Sequence, residues 1–130
     1  MKNATLQNKV TDTITDKVLI VEDEGEMCLL LNLLLDEKKV KLDYAKDLLS
    51  AGEYLENERP SVVILDNKLP DGFGVDFISY LKHKDPSIKI IMITGFGSAR
   101  DVAIENGADA FLEKPFSKNQ FYKSINSLLH

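Results

Sequence analysis

Four short blocks of consecutive apolar residues, widely spaced along the chain, constrain its fold more than any other feature. Each block has the length of a β-strand, and most residues of the four blocks taken together are β-branched, which favours extended structure. Because the blocks are continuous rather than alternating, they predict strands that are covered on both faces, as in a parallel sheet. The blocks are residues 18–21, 62–65, 90–93 and 110–112.

A fifth segment, residues 40–44, alternates apolar and polar side chains. This pattern is typical of a strand with one wetter face, so we place it at an edge of the sheet. A helical pattern follows each of the five predicted strands, and the last one begins with a capping box formed by Ser117 and Gln120. The predicted helices cover residues 27–35, 48–55, 77–81, 98–106 and 117–129.

Five β-α units in succession predict a three-layer, doubly wound α/β fold of the flavodoxin-like type. Right-handed crossovers and a second strand at the edge favour a five-stranded parallel sheet of order 2-1-3-4-5 over a closed barrel. In that order the ligand site lies outside the carboxyl ends of the first and third strands. Residues 1–16 are polar and without periodicity, so we expect a flexible N-terminal tail followed by one domain at residues 17–130.

Charge and rare residues exclude several classes of protein. A formal net charge of −5 argues against a nucleic-acid-binding surface. One cysteine excludes an internal disulfide framework, and two histidines leave no cluster for zinc or haem. The chain contains neither the apolar core of a signal peptide nor a run of about 18 apolar residues, so we expect a cytoplasmic protein with no membrane span.

Polar side chains with complementary chemistry follow four of the predicted strands. Glu22 and Asp23 follow the first strand and Asp66 the third, whereas Thr94 and Lys114 follow the fourth and fifth. Crowded carboxylates need a cation, and a set of oxygen donors without histidine or cysteine suits Mg²⁺. A metal, a hydroxyl and an ammonium near one carboxylate favour phosphoryl transfer, with Asp66 as the best-placed nucleophile.

Each of these residues also has a simpler interpretation when it is taken alone. Asp23 and Glu24 are residue types that favour the first turn of a helix, and Asp66 suits an Asx turn. An isolated Lys114 would be a solvated lysine, and an isolated Thr94 would be an ordinary strand residue. Their joint occurrence at the carboxyl ends of the strands favours a functional site over four separate structural roles.

The chain from Lys17 to His130 resembles a response-regulator receiver domain of two-component signalling. The stretches that carry the resemblance are VLIVEDE, VVILDNKLPDGFG, IIMITGFGS and GADAFLEKPF. The resemblance implies a switch that accepts a phosphoryl group from a sensor histidine kinase or a histidine phosphotransfer protein. Such a domain catalyses its own phosphorylation and dephosphorylation and is not a dedicated enzyme on an external substrate.

The resemblance also assigns a role to individual residues. It implies that Asp66 is the phosphoacceptor and that Glu22 and Asp23 bind Mg²⁺ together with Asp66 and the backbone carbonyl of Lys68. Thr94 and Lys114 match the switch threonine and the conserved-type lysine of the family. Two further matches are Phe111, the aromatic residue whose rotamer follows phosphorylation, and the Lys114-Pro115 peptide bond, which is commonly cis in such domains.

Three features depart from the family pattern. The stretch from Thr94 to Lys114 is slightly shorter than in familiar members, which predicts a short or shifted fourth helix. Phe111 lacks a hydroxyl, so switching cannot use a tyrosine hydrogen bond. No output domain follows the fifth helix, as expected either of a single-domain regulator or of a receiver taken from a longer protein.

The first predicted helix is too apolar for a helix that buries one face. Met27, Leu30, Leu31, Leu34 and Leu35 are expected to face the sheet, which leaves other apolar side chains over. Leu29 and Leu33 are one turn apart and are predicted to form a ridge for the phosphodonor beside the acidic pocket. The alternative is that these two leucines are covered by the tail before Lys17 or by a second copy of the chain.

Two other functions are compatible with parts of the pattern. One is a degenerate receiver that serves as a constitutive interaction module, and the complete set of Asp23, Asp66, Thr94 and Lys114 argues against it. The other is a phosphatase with an aspartyl nucleophile, similar to the haloacid dehalogenases. Those enzymes need a second acid two residues after the nucleophile, where this chain has Lys68, so we rank this function last.

Overall fold

A computed structural model of the protein describes residues 16–129, and the tail predicted at the N-terminus lies outside them except for its last residue. That residue, Asp16, is the first of strand β1, so the sheet begins one residue earlier than expected. The strands are β1 (Asp16–Val21), β2 (Val40–Ala45), β3 (Val62–Asp66), β4 (Lys68–Leu69), β5 (Gly72–Phe73), β6 (Lys89–Thr94) and β7 (Ala110–Glu113). The helices are α1 (Gly25–Leu35), α2 (Leu48–Asn57), α3 (Gly74–Lys84), α4 (Arg100–Glu105) and α5 (Lys118–Asn126).

Five parallel strands form the central sheet in the order β2-β1-β3-β6-β7, which confirms the predicted topology and its strand order. The edge position of β2 is also confirmed, since it pairs only with β1 among the described residues. Strand β3 lies in the middle, with Val18 opposite Val62 on one side and Val62 opposite Lys89 on the other. All five residues of β3 are buried, which explains its continuous apolar sequence.

Two apolar layers cover the two faces of the sheet. Buried residues of β1, β3 and β6 point alternately into one layer or the other, as the two-residue period of a strand requires. On one side they pack against α2, α3 and α4, and on the other side against α1 and α5. The central strands are therefore screened from solvent on both faces, while their carboxyl ends remain open.

Two details of the helices differ from the sequence prediction. Leu30 was expected to face the sheet but is 41% exposed. Only Leu31 and Leu35 of α1 are fully buried. Helix α5 ends at Asn126, so Leu128 and Leu129 contact the core from the segment that follows the helix.

Two other predicted features of the helices are confirmed. The capping box at Ser117 is present. Helix α4 has only six residues and follows a 3-10 turn at Gly97–Ala99, in line with the short fourth helix that was expected.

The segment between β3 and α3 folds into a small hairpin, which was not among the predicted elements. Lys68 pairs with Phe73 and Leu69 with Gly72 in the antiparallel strands β4 and β5. Gly72 has a φ of +152°, a conformation that L side chains rarely adopt, which accounts for glycine at this turn. The hairpin returns the chain to the carboxyl end of β3, where α3 begins.

Within residues 16–129, no helix has the length and apolar character needed to cross a membrane.

Candidate functional site

Asp66 is the last residue of the central strand β3 and lies at the open end of the sheet. It is only 6% exposed, so its carboxylate depends on protein groups for compensation. The backbone N–H of Asn67 donates to Asp66 Oδ1 over 2.8 Å, and Lys114 Nζ lies 3.5 Å from the same oxygen. The backbone N–H of Asn67 and the Lys114 ammonium therefore hold Asp66 through the same oxygen, Oδ1.

Glu22 and Asp23 follow β1, the neighbour of β3 in the sheet. Because Val21 is paired with Leu65, the next residue of each segment, Glu22 in one and Asp66 in the other, comes to the same end of the sheet. Each of the three acids offers one carboxylate oxygen, and these oxygens lie within 4.8 Å of one another. Glu22 is buried and Asp23 is exposed, so the cluster runs from the interior to the surface. Three hard oxygen donors at this spacing suit a divalent cation such as Mg²⁺.

Lys114 follows β7 and brings the positive charge of the site. Its Nζ atom lies 3.7 Å from Glu22 Oε1 and 3.7 Å from Glu24 Oε1, in addition to the contact with Asp66. Burial alone would lower the pKa of Lys114, but the charges of Asp66, Glu22 and Glu24 outweigh it and raise the pKa. The ammonium therefore stays charged and offsets part of the crowding among the carboxylates.

Burial and the neighbouring carboxylate of Asp66 both act on Glu22. The pKa of Glu22 is raised from 4.5 to about 7, chiefly by burial and also by the nearby charge of Asp66. The backbone N–H of Glu24, which donates to Glu22 Oε2 over 3.1 Å, and the charge of Lys114 act in the opposite direction. A raised pKa in a buried acid next to a second carboxylate is expected of a place for a cation.

The metal-free protein is expected to lose stability as the pH rises from about 4.5 to about 7. In this window the raised pKa of Glu22 makes the folded state bind more protons than the unfolded state, so the free energy of unfolding falls with pH. We expect Glu22→Gln to remove about 2 kcal/mol of this decrease, measured by urea unfolding with a chelator present. Glu26→Gln, at an exposed position in the first turn of α1, should keep the wild-type slope, and an equal change in both variants would contradict the assignment.

An open cleft of about 450 Å³ lies above the acidic cluster. Its lining includes Asp23, Asp66, Lys68 and Lys114 together with apolar side chains of the β4–β5 hairpin. Lys68 is exposed at this cleft. The cleft is open to solvent, so small ions can reach Asp66.

Thr94 and Phe111 occupy neighbouring strands on the other side of β3. Thr94 ends β6 and is buried, and its Oγ1 accepts from the backbone N–H of Phe96 over 3.2 Å. Phe111 lies in β7, half-buried against the core, with the guanidinium of Arg100 5.8 Å from the centre of its ring. The backbone N–H of Lys114 donates to the carbonyl of Thr94, so the two candidate donors are adjacent at the end of the sheet. The Lys114-Pro115 bond is cis, as the resemblance implied.

Three residues of the site were not singled out by the sequence analysis. Glu24 was given no role beyond favouring the first turn of a helix, yet its side chain makes no cap and approaches Lys114 instead. Asn67 is a buried amide next to Asp66, and Gly74 lies so close to Asp66 that a Cβ atom would be 2.2 Å from its carbonyl oxygen. The position of Asn67 directly after the candidate nucleophile Asp66 was the only sequence signal for it, and the close contact of Gly74 had no sequence signal.

Leu29 and Leu33 are exposed on α1, at 60% and 63% of their surface. Met27 and Leu30 lie nearer the site and form, with Pro115 and Phe116, an apolar depression next to Lys114. The outer face of α1 thus presents more apolar surface than a solvated helix needs.

Comparison with known proteins places these features in one family. Residues 18–126 match the family described as "Response regulator receiver domain". The response regulator protein PilR of Pseudomonas aeruginosa is 36% identical over 115 residues, which cover 87% of this chain. The chain spans 26% of the length of PilR and about half the length of several other curated relatives that it matches.

Two solved structures illustrate the likeness of the fold. The beryllofluoride-activated NtrC4 receiver domain dimer aligns with a TM-score of 0.81 and 36% identity, covering 87% of this chain and 95% of that one. The response regulator TrrA of Thermotoga maritima, solved in complex with Mg(2+)-BeF, aligns with a TM-score of 0.81 and 26% identity, covering 88% of this chain and all of that one.

Proposed function

Because this chain belongs to the response regulator receiver domain family, we propose that it is a phosphorylation-controlled signalling switch in which Asp66 is the phosphoacceptor. The observation that carries the proposal is the position of Asp66 at the end of the central strand, paired with Lys114 and flanked by two further carboxylates. The phosphoryl donor is a phosphohistidine on a sensor kinase or on a phosphotransfer protein. Regulation of a partner, rather than turnover of an external substrate, is the proposed outcome.

The metal site that supports this chemistry consists of Glu22, Asp23 and Asp66 with the backbone carbonyl of Lys68. The spacing of the three acids and the raised pKa of Glu22 support a divalent cation at this place. When bound, Mg²⁺ neutralises charge on the transferring phosphoryl group. The structure of the related protein TrrA was solved in complex with Mg(2+)-BeF, which supports the choice of this metal.

Asp66, Lys114 and Lys68 are proposed to have separate roles in the transfer of the phosphoryl group. A carboxylate oxygen of Asp66 forms a bond to phosphorus while the bond from phosphorus to the donor histidine nitrogen breaks, and the imidazole leaves with the electron pair. Lys114, already 3.5 Å from Asp66, pairs with the negative charge that Asp66 gains. Lys68, exposed at the cleft, is proposed to affect the lifetime of the phosphoryl group by screening its oxygens from attacking water.

Switching is proposed to involve Thr94 and Phe111. In the structure the Thr94 hydroxyl accepts a hydrogen bond from the backbone N–H of Phe96. A phosphoryl oxygen on Asp66 would attract this hydroxyl away from Phe96. Space opened next to β7 would let Phe111 move further into the core, at the expense of its contact with Arg100. This rearrangement would change the surface around α4, and partner proteins that bind this surface would distinguish the two states.

Incubation of the protein with acetyl phosphate tests the proposal directly. With Mg²⁺ present, peptide mass spectrometry is expected to locate one phosphoryl group on Asp66, and a chelator should suppress the labelling. A label on another residue, or labelling that ignores Mg²⁺, would refute the proposed site. Absence of any label would instead favour the constitutive interaction module.

Asp23→Asn is expected to weaken Mg²⁺ binding by about tenfold. The change removes one negative charge and one strong oxygen donor from the cluster, and both effects lower the affinity for a hard cation. Isothermal titration with Mg²⁺ measures the effect. Asp76→Asn, on the first turn of α3, is the matched control, and equal affinities for Asp23→Asn and wild type would place the metal elsewhere.

Simultaneous replacement of Leu29 and Leu33 by Ser is expected to slow phosphotransfer from the cognate donor by about tenfold. The two side chains are exposed one turn apart on α1, where loss of apolar contact would weaken docking of a helical donor. Labelling by acetyl phosphate, which needs no docking surface, should be unchanged. If both routes slow equally, the leucines support the fold, and if neither slows, the donor docks elsewhere. Leu49→Ser, at an exposed position on α2, provides the control.

A further inference from the structure

Asn67 is a polar residue that is 8% exposed, immediately after Asp66. A buried amide costs free energy unless it is hydrogen-bonded, so its contacts show what it is used for. Its backbone N–H donates to Asp66 Oδ1 over 2.8 Å. Its backbone carbonyl accepts from Gly74 N over 2.6 Å, and its side-chain Oδ1 accepts from Val75 N over 3.1 Å. One residue thus contacts both the carboxylate of Asp66 and the start of α3.

Helix α3 depends on these contacts at its N-terminus. The first N–H groups of a helix have no partner within the helix and need acceptors from elsewhere. Phe73 occupies the N-cap position and provides no side-chain hydrogen bond. The carbonyl and the amide oxygen of Asn67 take over this role for the first two residues of the helix, Gly74 and Val75. Asn67 is therefore fixed at two points by a rigid element.

The fixed position of Asn67 determines where its own N–H points. That N–H and the Lys114 ammonium approach the same oxygen of Asp66, so together they select one orientation of the carboxylate. We propose that Asn67 is a positioning residue for phosphoryl transfer, which orients Asp66 by tying the end of β3 to α3. The inference rests on the proposed role of Asp66 as phosphoacceptor. Displacement of a reacting group by about 1 Å is enough to cost up to about 100-fold in rate.

A matched control exists at the C-terminal end of α4. Asn106, the C-cap residue of α4, donates from Nδ2 to the backbone carbonyl of Val75 over 2.9 Å. It thus contacts the same residue of α3 as Asn67 does, but from the side of α4. Asn67→Leu and Asn106→Leu each remove one hydrogen bond between an asparagine and Val75, and each keeps a side chain of similar size.

The test measures the rate constant of acetyl phosphate labelling at saturating Mg²⁺, together with the thermal midpoint of each variant. We expect both leucine variants to lower the midpoint, but only Asn67→Leu to slow labelling, by about tenfold. If Asn67→Leu does not fold, Asn67→Ser takes its place, because its shorter polar side chain cannot reach Val75.

Two results would overturn the inference. These are a wild-type rate for Asn67→Leu and an equal slowing for Asn106→Leu. In each case the wild-type protein is still labelled on Asp66, so the proposed function stands. Failure of wild-type labelling on Asp66 would contradict the proposed function itself, which keeps the two failures distinct.

Discussion

Replacing Asp66 by Asn is expected to abolish phosphorylation by acetyl phosphate while leaving the protein at least as stable as wild type. The amide is a poor nucleophile, so no acyl phosphate forms. Its Oδ1 can still accept from the backbone N–H of Asn67, and removal of one negative charge relieves repulsion with Glu22. Loss of the attraction to Lys114 opposes this gain. Mass spectrometry and thermal unfolding measure the two effects.

Asp76→Asn is the control for this variant. Asp76 is exposed in the first turn of α3 and lies outside the acidic cluster, so the change should leave labelling intact. Persistent labelling of the Asp66→Asn protein would mean that another side chain is the nucleophile. A stability loss of more than about 1 kcal/mol would mean that the Asp66 carboxylate is needed for the fold, as an ordinary turn residue would be.

Gly74→Ala is expected to destabilise the protein by about 3 kcal/mol, or roughly 10 °C in its thermal midpoint. A Cβ atom at this position would lie 2.2 Å from the carbonyl oxygen of Asp66 and 3.0 Å from Leu65 Cγ. The first of these is a backbone atom within the sheet, which cannot move aside without displacing β3. The same displacement would shift Asp66, so labelling by acetyl phosphate should also slow. Circular dichroism during thermal unfolding measures the stability change.

Gly52→Ala is the matched control on another helix. Gly52 lies within α2, and a Cβ atom there would meet nothing within 4 Å. Alanine at this position restricts the unfolded chain and improves helix propensity, so we expect a gain of about 0.5 to 1 kcal/mol. A Gly74→Ala protein with wild-type stability would show that the contact between α3 and β3 is loose enough to relax.

Much of the architecture could be predicted because it depends on local patterns. Continuous apolar blocks identify strands that are buried on both faces, and the alternation in residues 40–44 identifies the edge strand β2. The site residues at the strand ends could also be proposed from the sequence. Parallel strands place their carboxyl ends at one edge of the sheet, so residues distant in the chain, such as Glu22 and Asp66, are expected to meet.

The contacts within the site were less predictable, because they depend on how neighbouring elements approach each other. Residue type does not distinguish the buried Glu22 from the exposed Asp23. The burial of each side chain depends on the path of the backbone after β1. The exposure of Leu30 had the same origin, because an almost wholly apolar helix gives no pattern that indicates which face packs on the sheet.

By itself, the sequence determined the class of fold, the strand order and the chemical types of group at the open end of the sheet. These follow from periodicity and from the rule that ligands bind at the carboxyl ends of parallel strands. Only the tertiary structure decided that Asn67 joins Asp66 to α3 and that Gly74 has no room for a side chain. Both depend on the distance between β3 and α3, which is set by packing over the whole layer and leaves no local signal in the chain.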